Sequence, residues 1–382
     1  MHSAPLSTSV FNPGLLVRLG VGWGAYLLTV IYRPILEGEL SGLALLGLLI
    51  AVVAVIIVCS FGVVAQAERL AERLGDPYGT LILTISIAMI EVILIAAVML
   101  GPGEHSTIAR DSVMAVSMII LNLVIGVAVL VSKRRGESPR ANGRGVFTYL
   151  VLLVLLSTIA FVLPSLIGRD GQYLRGQQPV VVVLTAVIYG VFLFRQMGAD
   201  SRHFQEVEES SAVGERTKRA PQVSVGSLIH KYRSEVAQAT AALVLLMVPV
   251  VLLSHDMASL LDRGLDSLGA PVALSGLLIA MIVFLPETIT TFRAAAVGEM
   301  QRVSNLCHGA LLSTMGLTIP AVLTIGFFTG QPVVLAESLA NLTLLAASYV
   351  LTAVSFGRGR IRRGFGYAHL TLFTLFVASM FL

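Results

Sequence analysis

The sequence predicts an all-α integral membrane protein of about eleven transmembrane helices, arranged as one helix followed by two five-helix repeats of inverted topology. Three observations carry this. The 382 residues are 56% hydrophobic and 13% charged, with a mean hydropathy of +0.87. The apolar residues fall in unbroken runs near the ~20 residues that cross ~30 Å of hydrocarbon as a helix. The positive charges sit almost entirely on alternate loops. Soluble domains carry roughly twice this charged fraction, so soluble globular and intrinsically disordered chains are excluded. Outer-membrane strands alternate polar and apolar residues over ~10-residue segments, and these continuous runs do not. In lipid the backbone must satisfy its own hydrogen bonds, which makes each run a helix.

The runs are, in chain order, 14–32, 40–66, 79–100, 111–132, 146–167, 178–197, 236–254, 272–297, 304–328, 332–355 and 366–382. With residue 1 in the cytoplasm, nineteen Lys and Arg fall on the inside. Five fall outside, namely Arg33, Arg110, Arg169, Arg175 and Arg263, while Arg195 and Arg293 lie near inside helix ends. That asymmetry is the positive-inside pattern. It places the N-terminus in the cytoplasm and the C-terminus outside, in a bacterial cytoplasmic (inner) membrane. The net charge of +4 therefore belongs to cytoplasmic loops and implies no nucleic-acid partner. The partners it implies are the lipid bilayer, with room for a homo-oligomer. Cys59 and Cys307 both lie in apolar runs and read as core thiols. The first apolar run follows a mixed polar start without a cleavage pattern, so no removable signal peptide is expected.

Four segments follow. Residues 1–39 hold an N-terminal segment with the first helix, 40–197 a first five-helix repeat, 198–235 a cytoplasmic linker and 236–382 a second repeat. The linker carries Glu206, Glu208 and Glu209, then Arg216, Lys218 and Arg219. It reads as a solvated connection, or more sharply as a regulatory or ion-attracting acidic segment. Five is odd, so two homologous halves sit in opposite orientations, as in many secondary transporters. Glu91 lies mid-span on the second helix of the first half, and Glu287 on the second helix of the other. Laying Arg110 on Arg302 puts Ser112 on Ser304 and Asn122 on Thr314.

An acidic side chain at the centre of a span costs at least ~2.5–3.5 kcal/mol. Two of them point to an ion or proton site rather than to structural carboxyls. Together they offer up to four hard oxygens and two negative charges, which suits Ca²⁺ with its ~6–8 oxygen ligands. Without a cation, two close carboxylates in a low dielectric do not readily both ionise, so they take up protons instead. One site then holds a cation or protons but not both, which is the physical core of an antiporter. Pro286 removes a backbone donor and frees the carbonyl one turn back, a device by which broken helices offer oxygens to ions. Thr84, Ser86, Asn122, Thr288, Ser313 and Thr314 add neutral oxygens, with interhelical packing as the plain alternative for each. Gly309 and Gly316 read as close-packing positions. His308 reads as a hydrogen-bonded packing residue or, more sharply, as a pH sensor or proton relay.

These residues resemble the calcium/cation antiporter superfamily, most closely its bacterial ChaA-like calcium/proton antiporter branch. The first repeat motif is Gly75-Asp76-Pro77-Tyr78-Gly79-Thr80-Leu81-Ile82-Leu83-Thr84 running on to Ile90-Glu91-Val92. Its second helix is Ala109-Arg110-Asp111-Ser112-Val113 with Met118-Ile119-Ile120-Leu121-Asn122. In the other half the motifs are Leu285-Pro286-Glu287, Arg293-Ala294-Ala295 and Gly316-Leu317-Thr318-Ile319-Pro320. The resemblance implies exchange of Ca²⁺ for H⁺, with Na⁺ or K⁺ as further cargo, and no cofactor. It implies that Glu91 and Glu287 are the carboxylates that metal cation and proton share. Two departures stand out. Ile87-Ala88-Met89-Ile90 replace the Gly-Asn or Pro often found before the first glutamate, and Gly309-Ala310 replace a Gly-Ser.

Three other classes compete. A Na⁺ or K⁺ for H⁺ antiporter would use the same carboxylates. An intramembrane hydrolase would need a His-Glu-x-x-His or a paired Glu-Glu, and the spans contain neither. A passive channel fits poorly with protonatable midplane carboxylates and inverted halves. No Gly-x-x-x-x-Gly-Lys-Ser/Thr motif is present, so ATP-driven transport by this chain alone is not expected.

Overall fold

The computed structural model describes residues 12–36, 38, 41–74, 88–93, 95–96, 99–100, 106–133, 141–197, 204, 232–271, 273–357 and 361–381. Among these residues the regular structure is helical. The helices are α1 (Pro13–Ile31), α2 (Arg33–Leu36), α3 (Gly42–Leu74), α4 (Ile108–Met118), α5 (Ile125–Val131), α6 (Gly143–Ser157) and α7 (Leu163–Ile167), then α8 (Gln178–Met197) and α9 (Arg233–Leu268). The remainder are α10 (Ala273–Val283), α11 (Leu285–Val297), α12 (Met300–Ser313), α13 (Ile319–Thr329), α14 (Leu339–Gly357) and α15 (Arg363–Ser379). Three short π-helical segments join helices end to end: π1 (Ile119–Val124) links α4 to α5, π2 (Thr158–Val162) links α6 to α7, and π3 (Thr314–Thr318) links α12 to α13.

Among the described residues eight helices are long and apolar enough to cross a membrane, or nine counting the bent pair α10 and α11 as one span. At 17 residues, α15 is a shorter apolar helix. The run 79–100 is described at residues 88–93, 95–96 and 99–100. Three boundaries lie well away from the ends of the hydropathy runs. Helix α3 continues to Leu74 and α9 to Leu268, because helical hydrogen bonding does not stop where charged residues begin. Helix α14 starts at Leu339 rather than at residue 332. The apolar residues before it, Val333 and Leu335, are buried in a non-helical segment whose backbone bonds go to Ser106, Gly171 and Phe161.

The chain packs as two compact units, residues 1–90 with 213–260 and residues 91–212 with 261–382. Each takes segments from both sides of residues 198–235, so the compact units do not follow the chain halves. In the first unit α1 lies against α3. A Cβ on Gly22 would come within 2.7 Å of Cys59 Sγ, and Trp23 Nε1 donates to the Leu245 carbonyl at 3.1 Å. Cys59 and Cys307 are buried free thiols.

The second unit is built around α4–π1–α5, a span buried along most of its length. Helix α10 packs on α4, α15 on α5, and π1 touches α11, α12, α14 and α15. Glycines permit the closest of these approaches. A Cβ on Gly126 would lie 3.1 Å from the Gly366 carbonyl, and one on Gly366 would lie 2.9 Å from the Gly126 carbonyl. Small residues at such crossings let helix backbones meet in lipid.

Loops gather at two ends of this unit. At one end Val334 donates to the Ser106 carbonyl at 2.9 Å, Leu335 and Ala336 to that of Gly171 at 3.0 Å, and Glu337 to that of Phe161 at 3.1 Å. Arg110 ties the same end together through Asp111 at 2.8 Å, Glu337 at 3.1 Å and the Ala336 carbonyl at 3.2 Å. At the other end Lys133 donates to the Ala295 carbonyl at 3.2 Å and the Asn142 backbone to Gln301 Oε1 at 2.6 Å.

Candidate cation site

Sequence and local geometry place Glu287 at a helix start. Helix α10 ends at Val283, Phe284 forms a turn, and the chain bends by 59° into α11. Pro286 sits in the first turn of α11, where its missing N–H leaves no helical bond broken within α11. It cannot donate back to the Ile282 carbonyl, so that oxygen is freed beside the bend. Thr288 Oγ1 donates to the Phe284 carbonyl at 2.8 Å and Thr290 Oγ1 to the Pro286 carbonyl at 3.1 Å. Hydroxyls thus serve backbone groups at the break, as expected inside a membrane. Glu287 follows Pro286 in the first turn, where the positive end of the helix dipole favours a negative charge.

Glu287 is 5% exposed, and neither carboxylate oxygen accepts a hydrogen bond among the described residues. Glu91, in the helical stretch 88–93, is 6% exposed. Its Oε2 accepts from Thr314 Oγ1 at 2.5 Å, and its Oε1 is likewise buried and unpartnered among the described residues. Three carboxylate oxygens are therefore buried without a side-chain partner among the described residues. Native proteins rarely leave such groups unsatisfied without an ion or proton to take them up.

The π segments bear on this site. Thr314, the partner of Glu91, opens π3, and Asn122 lies within π1. These are the two positions brought together by laying Arg110 on Arg302. Each therefore falls on a π irregularity of an otherwise α-helical span, the kind of distortion that recurs at functional sites. Asn122 is fully buried. Its Nδ2 donates to Ser348 Oγ at 2.7 Å and its Oδ1 faces His369 Nδ1 at 3.3 Å. Ser313 turns its hydroxyl back to the Gly309 and Ala310 carbonyls at 2.9 and 2.8 Å.

The structure thus brings together Glu91, Thr314 and Glu287, with Pro286 and Thr288 at the bend. Thr84 and Ser86 lie outside the described residues. His308 is fully buried. Its Nδ1 pairs with Ser304 Oγ at 2.9 Å and its ring stacks on Tyr149 with centroids 5.9 Å apart. Its edge meets Phe356 at 5.7 Å, and no carboxylate is among these partners. Gly316 and Gly309 lie against aromatic rings. A Cβ on Gly316 would fall 2.6 Å from the Tyr189 ring, and one on Gly309 would fall 3.5 Å from Tyr149 Oη. No group of three or more His, Cys, Asp or Glu converges among the described residues, so a bound cation would draw on two carboxylates and neutral oxygens. Sequence reasoning did not assign His369 or Ser348. The signal available was an imidazole inside an apolar run.

The described structure is that of a multi-pass helical membrane protein with two buried glutamates, one of them beside a bent pair of helices. The chain belongs to the sodium/calcium exchanger protein family, whose model matches residues 44–198 and 238–382. It is 32% identical over 322 residues to the sodium-potassium/proton antiporter ChaA of Escherichia coli (strain K12), covering 84% of this chain and 85% of that protein. Two solved structures share the fold. Native YfkE, described as a Ca²⁺/H⁺ antiporter, superposes with a TM-score of 0.67 at 16% identity over 96% of this chain and 99% of its own. The H⁺/Ca²⁺ exchanger CAX gives 0.64 at 14% identity over 95% and 87%. The chain is thus a cation exchanger of the calcium/cation antiporter superfamily.

Proposed function

We propose that the protein is a cation/proton antiporter of the bacterial cytoplasmic membrane that extrudes Ca²⁺ in exchange for H⁺. The observation that carries this is the set of three carboxylate oxygens, two on Glu287 and one on Glu91, that are buried without a side-chain partner among the described residues. A divalent cation or protons would satisfy them, and the two cannot do so together. Facing the cytoplasm, both glutamates ionise and capture the cation. The Thr314 hydroxyl, the Ile282 carbonyl freed by Pro286 and the oxygens of Thr288, Asn122 and Ser313 supply the rest of the shell. The helices bearing the glutamates then shift, the site opens outward, and protons displace the cation. Two protons per Ca²⁺ is the minimum if both carboxyls return protonated.

The arrangement of one plus five plus five helices belongs to the same reading. It is supported by the family match on either side of residues 198–235 and by loops that share a face in the alternating order. That order puts the N-terminus in the cytoplasm and the C-terminus outside. A second reading keeps the site and changes the cargo to Na⁺ or K⁺. The name of the Escherichia coli relative favours it.

The test is cation-induced proton movement in everted membrane vesicles. A pH-sensitive dye reports collapse of a preformed gradient on adding Ca²⁺, Na⁺ or K⁺ separately. A Ca²⁺ response lost in both Glu91→Gln and Glu287→Gln is the expected result. A larger Na⁺ or K⁺ response, lost in the same variants, selects the second reading. Wild-type responses in both variants would overturn the shared-site model.

A further inference from the structure

We propose that His369 is a positioning residue of the cation site, whose ring N–H holds the Asn122 amide with its oxygen in place. This rests on the reading of Asn122 as a cation ligand given above.

The argument is one of counting protons. Ser348 Oγ has one proton, and the acceptors it faces, the Leu344 carbonyl at 2.7 Å and Met118 Sδ at 3.8 Å, are atoms other than those of Asn122. With its proton on either, it accepts from Asn122 Nδ2 at 2.7 Å, which places the NH₂ of the amide on Ser348. The amide oxygen is then the atom that faces His369 Nδ1 at 3.3 Å. A carbonyl oxygen cannot donate, so Nδ1 must carry a hydrogen. The neutral ring is thereby set as the Nδ1–H tautomer, with Nε2 turned to Ser355 Oγ at 3.3 Å.

Packing explains why the ring is held there. Helices α15 and α5 meet at Gly366 and Gly126, about one turn from His369 and Asn122 respectively. His369 is fully buried. Asn122 in turn lies in π1, which packs against the Glu287 helix. An amide oxygen has two lone pairs. With one taken by His369 and the NH₂ taken by Ser348, the second has a set direction for a cation. If the Nδ1–H is lost, the amide is held by the Ser348 bond alone, and the direction of its oxygen toward a cation is no longer set.

The test compares variants in everted vesicles, using whichever of Ca²⁺ and Na⁺ gives the greater wild-type response. Glutamine places its NH₂ near the Nε2 position of histidine, and asparagine places it near Nδ1. His369→Gln should raise the half-saturating cation concentration about tenfold, the loss of one hydrogen bond, while the maximal rate changes less than about twofold. His369→Asn, which returns a donor to the Nδ1 position, should recover most of that loss. Ser348→Ala removes the acceptor at the other end of the amide, leaves the histidine untouched and should give the same rise. Size-exclusion profiles establish that each variant folds. Wild-type half-saturation in His369→Gln or Ser348→Ala, or equal impairment in His369→Gln and His369→Asn, would overturn the inference alone. A wild-type protein that moves neither protons nor cations would overturn it together with the functional reading.

Discussion

The bond between Thr314 and Glu91 is the most direct link between the two halves of the chain at the site. Thr314→Val keeps the shape of the side chain and deletes the donor. Glu91 Oε2 then loses its 2.5 Å partner, and Oε1 already has none among the described residues. A hydrogen bond to a charged group contributes about 1.5–3 kcal/mol. Glu91 is 6% exposed, so water does not readily replace the lost donor. At about 1.4 kcal/mol per decade, the half-saturating cation concentration should rise by about 10- to 150-fold. Thr314→Ser restores the hydroxyl and should recover most of the affinity. The assay is dye-reported proton movement over a range of cation concentrations, normalised to inserted protein. Thr314→Val at the wild-type concentration, with the protein inserted, would refute the claim that this bond maintains an ionised Glu91 for the cation.

Two further predictions concern the scaffold. Gly366→Ala would set a Cβ 2.8 Å from Leu130 Cγ and 2.9 Å from the Gly126 carbonyl, and backbone cannot move aside cheaply. Thermal unfolding in detergent should show a loss of about 1–3 kcal/mol, and an unchanged unfolding temperature would contradict the close approach. Glu337, outside the spans, is buried beside Arg110 and Asn341. Burial pushes its carboxyl above the ordinary carboxylate value, and these two partners offset only part of that. The folded protein therefore binds this proton more tightly than the unfolded chain. The stability so gained is full below the unfolded value of about 4.3 and drains as pH rises through the raised folded value. Glu337→Gln lacks this loss, so its unfolding temperature should gain on that of the wild type as pH rises from about 4.3 through the raised folded value. A difference that shrinks over that window would refute the assignment.

Span positions were legible because hydropathy dominates in lipid. The run 178–197 and helix Gln178–Met197 coincide. Helix ends were less legible. The apolar run ends at residue 254 with His255 and Asp256 next, yet α9 continues to Leu268. Met257, Leu260, Leu261 and Leu265 are buried there, a helical spacing that a search for unbroken runs passes over. The opposite error occurred at 332–338, where buried Val333 and Leu335 extend an apolar run through a segment held by bonds to Ser106, Gly171 and Phe161. At the site, Glu91 and Glu287 were legible because a carboxylate inside an apolar run is costly. The laying of Arg110 on Arg302 singled out Asn122 and Thr314 but not what they touch. The π segments, the commitment of the Asn122 amide to Ser348 and the place of His369 all depend on helices meeting across the fold. No local pattern encodes them.

The central claim is that cation and protons compete for the same carboxylates. Calorimetric titration of the purified protein with Ca²⁺ or Na⁺, repeated in buffers of different ionisation enthalpy, counts the protons released per cation bound. The account predicts net proton release on binding that is lost when Glu91 and Glu287 are both replaced by Gln. Binding to the wild-type protein with no proton release, or release that persists unchanged in the double variant, would contradict it.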